Sequence, residues 1–266
     1  MLLFLLLAAP LTAALLLPLL PPTTPAIEVR GLAALAALMQ LLLGVLCWRF
    51  KPSDLHLAWL PKLGLGLDLG LDGLSLPLLL LAALVTALAI LASPADQSRP
   101  RLYFPLLLAT NLGTVTAFLA RNALLFVLAF EVVLIPATLL VAIWGGPKRA
   151  GAAIRYLIYG AVSGLSLLAA VLALGWLNGN GLSFSYSDLA QIALPEAAKP
   201  WVLALLLLGF GLKLPIVPLH GWQPFTYGQA PTPVVMLLAG VVSKLGAYGL
   251  LRFGVGFLPE IGRAHV

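Results

Sequence analysis

Two lysines and one glutamate sit where charge is expensive. Lys213 lies well inside the apolar run WVLALLLLGFGLKLPIVPL, Lys244 inside PVVMLLAGVVSKLGAYGLL, and Glu131 inside ALLFVLAFEVVLIPATLL. A charge at membrane depth costs about 2.5–3.5 kcal/mol on insertion scales, so the three together cost about 8–10 kcal/mol if isolated. Such groups face a protein interior or water and mark ion paths or fixed ion pairs. A carboxylate near a buried amine favours the ammonium form, whereas desolvation favours the neutral amine. An amine held between those pulls can take up and release a proton, and moving the carboxylate switches it. The alternative is a static pair that fixes helix register, but one carboxylate cannot neutralise two amines. His220, seven residues after Lys213, can relay protons between the lysines or serve as an ordinary loop histidine.

The elements that must hold these groups are membrane spans. The chain is 62% hydrophobic and 9% charged, against about 25% charged in a soluble domain. Near-continuous Leu/Ala/Val runs have the length of a helix that crosses the hydrocarbon core, and they lack the alternation of barrel strands. The pattern predicts an all-α polytopic membrane protein with about eight spans, near 2–20, 30–48, 74–92, 102–120, 123–143, 154–176, 201–219 and 230–251. A cleaved signal peptide is the less favoured reading of the N-terminus, which has no basic segment ahead of its apolar run. The formal charge of +6 is spread over short loops, so nucleic acid is not an expected partner. Cys47 is the only cysteine, and His56, His220 and His265 are scattered, so neither a disulfide framework nor a metal site is expected.

Within the spans, Thr110, Asn111, Thr114 and Thr116 are placed to glue helices together or to line a hydrated path. Gly160 and Gly164, with Ser163 and Ser166, form a close-packing face. Pro215 and Pro218 follow Lys213, and Gly209 and Gly211 precede it, which predicts a helix broken at mid-membrane. Discontinuous helices with a charge at the break recur in ion-coupled transporters. The Gly/Leu/Asp-rich connection 49–72 reads as a loop on the membrane surface, because no strand–turn–helix context supports its glycines as a nucleotide motif. The loop 178–200 holds SYSDLAQIAL, a short interfacial helix with no assigned chemistry. Basic residues divide evenly between the two sides, and only the cluster Lys148, Arg149 and Arg155 favours an N-terminus outside.

The segments LKLPIVPLHGW, QAPTPVVMLLAGVVSKLGAYGLLRF and RNALLFVLAFEVVLIPATLLVAIWGG resemble the antiporter-like M/D-type (chain 4) subunits of respiratory complex I and its photosynthetic relatives. The resemblance runs from about span four to Phe253. It implies two inverted five-helix repeats, of which 102–253 is the first, behind a three-helix segment 1–101. It implies a proton path through Glu131, Lys213 and Lys244, with His220 beside it, and no redox cofactor in this chain. Quinone and NAD(P)H or ferredoxin would act in other subunits, and the partners would be the other membrane-arm subunits and the lipid bilayer. The location implied is a bacterial inner membrane or a cyanobacterial thylakoid. Where the family commonly reads HGWLPDAH, this chain reads His220-Gly221-Trp222-Gln223-Pro224-Phe225-Thr226-Tyr227, without the acid and the second histidine. That departure puts a relay through this connection in doubt and leans toward a cyanobacterial paralogue, some of which serve CO2 uptake. The chain reads as an N-terminal fragment, with 254–266 its end and 261–266, including Arg263 and His265, a non-native tail. A cation/proton antiporter subunit, a membrane-bound hydrogenase subunit and a structural anchor are the competing functions.

Overall fold

The computed structural model describes residues 2–177, 182–192 and 194–255. Residues 256–266, on which the tail reading rests, lie outside the described residues.

The chain begins with α1 (Leu2–Leu16) and α2 (Ala26–Phe50), followed by the hairpin β1 (Leu55–Leu60) and β2 (Leu65–Leu69). Then come α3 (Ser75–Ala92), α4 (Pro100–Leu119), α5 (Ala123–Val132), α6 (Leu134–Trp144) and α7 (Arg149–Trp176). After α8 (Tyr186–Leu189), α9 (Lys199–Lys213) and α10 (Gln223–Tyr227), the chain enters a last composite helix. It consists of α11 (Thr232–Leu237), a π-helical segment Leu238–Val242, α12 (Ser243–Gly249) and a second π segment Leu250–Val255.

Among the described residues, seven stretches are long and apolar enough to cross a membrane: Leu2–Leu19, Ala26–Phe50, Ser75–Ala92, Pro100–Leu119, Ala123–Trp144, Arg149–Trp176 and Thr232–Gly254. The chain is therefore a multi-pass integral membrane protein. The expected eighth crossing, 201–219, differs for a physical reason. Its helix α9 stops at Lys213, two residues before Pro215, and its 15 residues are too few to cross alone. α5 and α6 form one crossing interrupted at Val133. Pro136 has no N–H for the carbonyl of Val132 four residues back, so the ladder opens one turn ahead of it.

The connection 49–72, expected to be a surface loop, folds as an antiparallel hairpin in which His56 faces Asp68. Alternation in LHLAWL and LGLDL suits strands, and Gly64 supplies the left-handed turn at φ 64°. The hairpin is tied to the α4–α5 corner: the Gly70 N–H donates to the Leu119 carbonyl (2.8 Å) and the Arg121 N–H to the Asp68 carbonyl (2.8 Å). Asn122 completes the corner. Its Oδ1 accepts from the N–H groups of Leu124 (3.1 Å) and Leu125 (3.2 Å), capping α5, while Nδ2 donates to the Gly64 carbonyl (3.0 Å).

Asp72 performs a similar double task at α3. Its Oδ1 accepts from the N–H groups of Leu74 (3.0 Å) and Ser75 (2.8 Å), and its Oδ2 accepts from Arg121 Nη1 (3.0 Å) and from Arg252 Nη2. Burial raises the Asp72 carboxyl pKa, but the Ser75 N–H and the two guanidiniums outweigh it and hold the group well below the usual carboxylate range. A depressed folded pKa contributes stability that is present above the unfolded value and lost as pH falls through the folded one.

The interior is aromatic. Phe126 and Phe130 of α5, Phe210 of α9, and Tyr248 and Phe253 of the last helix are fully buried, with ring centroids 5.1–6.4 Å apart. This nucleus clamps three helices that each carry a membrane-embedded charge.

Two predictions follow from the extramembrane corner. Asn122→Ala should lower stability by about 1 kcal/mol, with Asn122→Asp, which keeps the cap acceptor, falling between it and the unsubstituted protein in detergent thermal melts. The melting difference between Asp72→Asn and the unsubstituted protein should stay constant from about pH 5 to 9 and shrink only below about pH 4.

Candidate functional site

Lys213 is the last residue of α9 and is 3% exposed. Its Nζ lies 4.6 Å from the centroid of the Phe130 ring and 5.7 Å from that of Tyr156, within range of cation–π attraction. At the broken helix end the Gly211 and Leu212 carbonyls find other partners. Pro215 cannot serve the Gly211 carbonyl, and the Ile216 N–H takes it instead (2.9 Å). The Leu212 carbonyl, which Ile216 would have served, accepts from Trp222 Nε1 (2.8 Å). Trp222 packs edge-on against Tyr156 (5.4 Å) and Tyr227 (6.0 Å). Lys213, Trp222, Tyr156, Tyr159 and Ser163 line a cavity of about 10 Å³, room for a single water. Of its lining residues, Tyr156 has a hydroxyl that is buried without a protein hydrogen-bond partner. Orphan polar atoms beside such a cavity are where ordered water is expected.

Glu131 lies in the last turn of α5, at the interruption before Pro136. Its carboxylate occupies the space that a side chain at Gly164 would fill: a Cβ there would overlap the Glu131 carboxyl oxygens. Gly160, one turn earlier on α7, gives the same clearance to Leu134. Between them, Ser163 Oγ donates to the Gly209 carbonyl (2.7 Å) and ties α7 to α9. The expected packing face is present, and one of its glycines makes room for a charge. Glu131 and Lys213 interact electrostatically across this seam, yet no direct ion pair joins them among the described residues.

Lys244 stands at the start of α12, just after the first π segment, and its Nζ donates to the Ala239 carbonyl (2.5 Å). Its helix presses on the broken end of α9, where a Cβ at Gly246 would come within 2.8 Å of the Phe210 carbonyl and the Leu214 nitrogen. Glu131, Lys213 and Lys244 are thus carried by three helices around one aromatic nucleus. His220 is different: no hydrogen bond or ion pair joins it to either lysine among the described residues.

The span-four polar residues divide. Thr110 and Thr114 hydroxyls donate back to the carbonyls of Leu106 (2.8 Å) and Thr110 (2.8 Å) in their own helix, whereas Asn111 Nδ2 reaches Gln40 Oε1 of α2 (2.5 Å). Only Asn111 glues helices. Sequence reading missed Gln40, Tyr156 and Trp222, and their signal was weak. Gln40 is the lone amide in its span, and the aromatics look like ordinary core residues.

Fold and site together define a polytopic helical membrane protein with an interrupted helix and charges at its break. Residues 120–265, more than half of the chain, match the family model described as NADH:quinone oxidoreductase/Mrp antiporter, TM. The chain belongs to that family. It is 43% identical over 260 residues to NAD(P)H-quinone oxidoreductase chain 4 of Prochlorococcus marinus (strain NATL2A), covering 94% of this chain and 48% of the relative. A chain of respiratory complex I from Thermus thermophilus superposes with a TM-score of 0.86 at 31% identity, covering 98% of this chain and 54% of that one. A chain of the Mrp complex from Dietzia sp. DQ12-45-1b superposes with a TM-score of 0.83 at 25% identity, covering 96% and 28%. The chain spans about half the length of the curated relatives it matches.

The Gly164 clearance generates a test. Gly164→Ala should displace the Glu131 carboxylate and reproduce the functional loss of Glu131→Gln, while Gly160→Ala, which meets only Leu134, should act on thermal stability alone. Equal functional effects of the two glycine substitutions would contradict this assignment.

Proposed function

We propose that this chain is part of a membrane-arm subunit of an NAD(P)H or ferredoxin:quinone oxidoreductase and carries protons through Glu131, Lys213 and Lys244. The observation that carries the reading is the placement of Lys213. Its ammonium is fully buried at a helix break, held by an aromatic ring, beside a cavity with room for one water, with no carboxylate in direct contact. A directly paired ammonium would be locked by its counter-ion, since breaking a buried pair costs about 3–5 kcal/mol. One held by a ring and a distant carboxylate can exchange its proton when the field from Glu131 changes. Moving one charge against 100 mV takes about 2.3 kcal/mol, which about two pKa units of switching supply.

In this reading electron transfer takes place in other subunits, this chain holds no redox centre, and its lysines pass protons from Lys213 toward Lys244. The unpartnered Tyr156 hydroxyl supports water beside Lys213, and the reading gives His220, seven residues further on, a relay role. The substrate electrons come from NAD(P)H or ferredoxin, and the membrane is a bacterial inner membrane or a thylakoid. A second reading, a cation/proton antiporter subunit, draws on the similarity to the Mrp complex chain. The neighbouring genes separate the two.

In the assembled complex, Lys213→Ala should lower the number of protons moved into vesicles per electron passed to quinone. Lys213→Arg, which keeps a charge but gives up no proton, should do the same. An unchanged proton-to-electron ratio in both would end the reading.

A further inference from the structure

Lys244, Tyr248 and Arg252 recur at intervals of four, so they form one stripe along the last helix. Two of its three members are joined directly. The guanidinium of Arg252 donates to the Tyr248 hydroxyl through Nε (3.3 Å) and Nη2 (3.2 Å), and that hydroxyl donates to the Phe118 carbonyl of α4 (3.2 Å). Beyond it, Arg252 Nη2 donates to Asp72 Oδ2, the same oxygen that accepts from Arg121 Nη1 (3.0 Å). Arg121 Nε in turn lies 3.7 Å from Asp54. The Tyr186 and Tyr248 rings flank the Arg252 guanidinium at 5.7 and 5.2 Å. At its other end the stripe closes on Lys244, whose Nζ holds the Ala239 carbonyl inside the π segment.

A π turn carries one residue more than an α turn closes over. Reverting Leu238–Val242 to α-helix would rotate everything after it by about 100° and swing Lys244 away from its present side. π turns are rare inside α-helices, so something outside the segment must hold the register. We propose that the Arg252–Asp72 contact is a register lock: it fixes the Lys244–Tyr248–Arg252 stripe against the N-terminus of α3 and thereby keeps Lys244 on its present side of the helix. Arg252 and Asp72 are positioning residues, acting through Lys244. The proposal rests on the proton-carrying reading of Lys244 given above.

One asymmetry is specific to this geometry. Removing Arg252 leaves Asp72 still paired with Arg121, whereas removing the Asp72 charge leaves two guanidiniums facing one another. Asp72→Asn should therefore do more damage than Arg252→Met, and the double substitution should return to the Arg252→Met level.

The test uses the assembled complex in sealed vesicles, with protons moved per electron as the readout and assembly followed on native gels. Arg252→Met is expected to assemble and to lower the ratio by about half or more, with Arg252→Lys restoring most of it. An unchanged ratio in Arg252→Met alongside a lowered one in Lys244→Ala overturns the lock and leaves the proton path standing. An unchanged ratio in Lys244→Ala itself overturns the path. Should Arg252→Met fail to assemble, Arg252→Gln and the Asp72→Asn variant carry the same comparison, and failure of all three to assemble makes the cluster purely structural and overturns the proposal.

Discussion

Inside hydrocarbon every backbone polar group needs a partner within the protein, since water is absent and each orphan costs several kcal/mol. Among the described residues, helices are interrupted at membrane depth at Val133 and after Lys213, and the rest of the structure answers to those two breaks. At the second break the Gly211 and Leu212 carbonyls are served by Ile216 and by Trp222, whose ring is held in turn by Tyr156 and Tyr227. Trp222 lies in the polar connection after the helix, so that connection must fold back into the membrane to close the accounts. The aromatic wall around Lys213 is thus a consequence of the break as much as a binding surface for the amine.

Two opposite kinds of packing hold the charged helices in place. The side where α5, α9 and the last helix meet is filled by large rings, which suits helices that stand apart and need volume between them. The side where α7 meets α5 and α9 is pared to glycine and serine, which lets backbones approach. Glu131 sits at the join. Its backbone belongs to the ring-packed side and its carboxylate projects into the clearance at Gly164, so its position answers to both α5 and α7. A helix shift at either seam would move this carboxylate relative to Lys213.

Much of this was readable from residues. Long apolar runs give spans without ambiguity because a bilayer admits few alternatives. Lys213, Lys244 and Glu131 stand out because nothing else in their runs is charged. The broken helix was legible from Pro215 and Pro218, although its shortness was not: a hydropathy run continues through Ile216 and Val217 after the helix itself has stopped. The hairpin was missed because Leu/Gly alternation over so few residues is a weak strand signal beside the spans. The Asp72, Arg121 and Arg252 cluster was invisible for a different reason. Its members are far apart in sequence and each, taken alone, looks like an ordinary charge at the end of a span.

The membrane charges differ in how closely they are held, and the difference is ordered. Arg252, near the end of its apolar stretch, has a carboxylate, a hydroxyl and two aromatic faces. Lys244 has one carbonyl. Lys213 has rings and a carboxylate out of contact. If the purpose of these charges were register alone, the most buried would need the firmest partner, because an unpaired charge costs most where the dielectric is lowest. The observed order runs the other way. Tight pairing is reserved for the residue that never releases its proton, and the loosest is given to the buried amine that can. In the function proposed above, that ordering leaves the exchanging amine free of a locking partner.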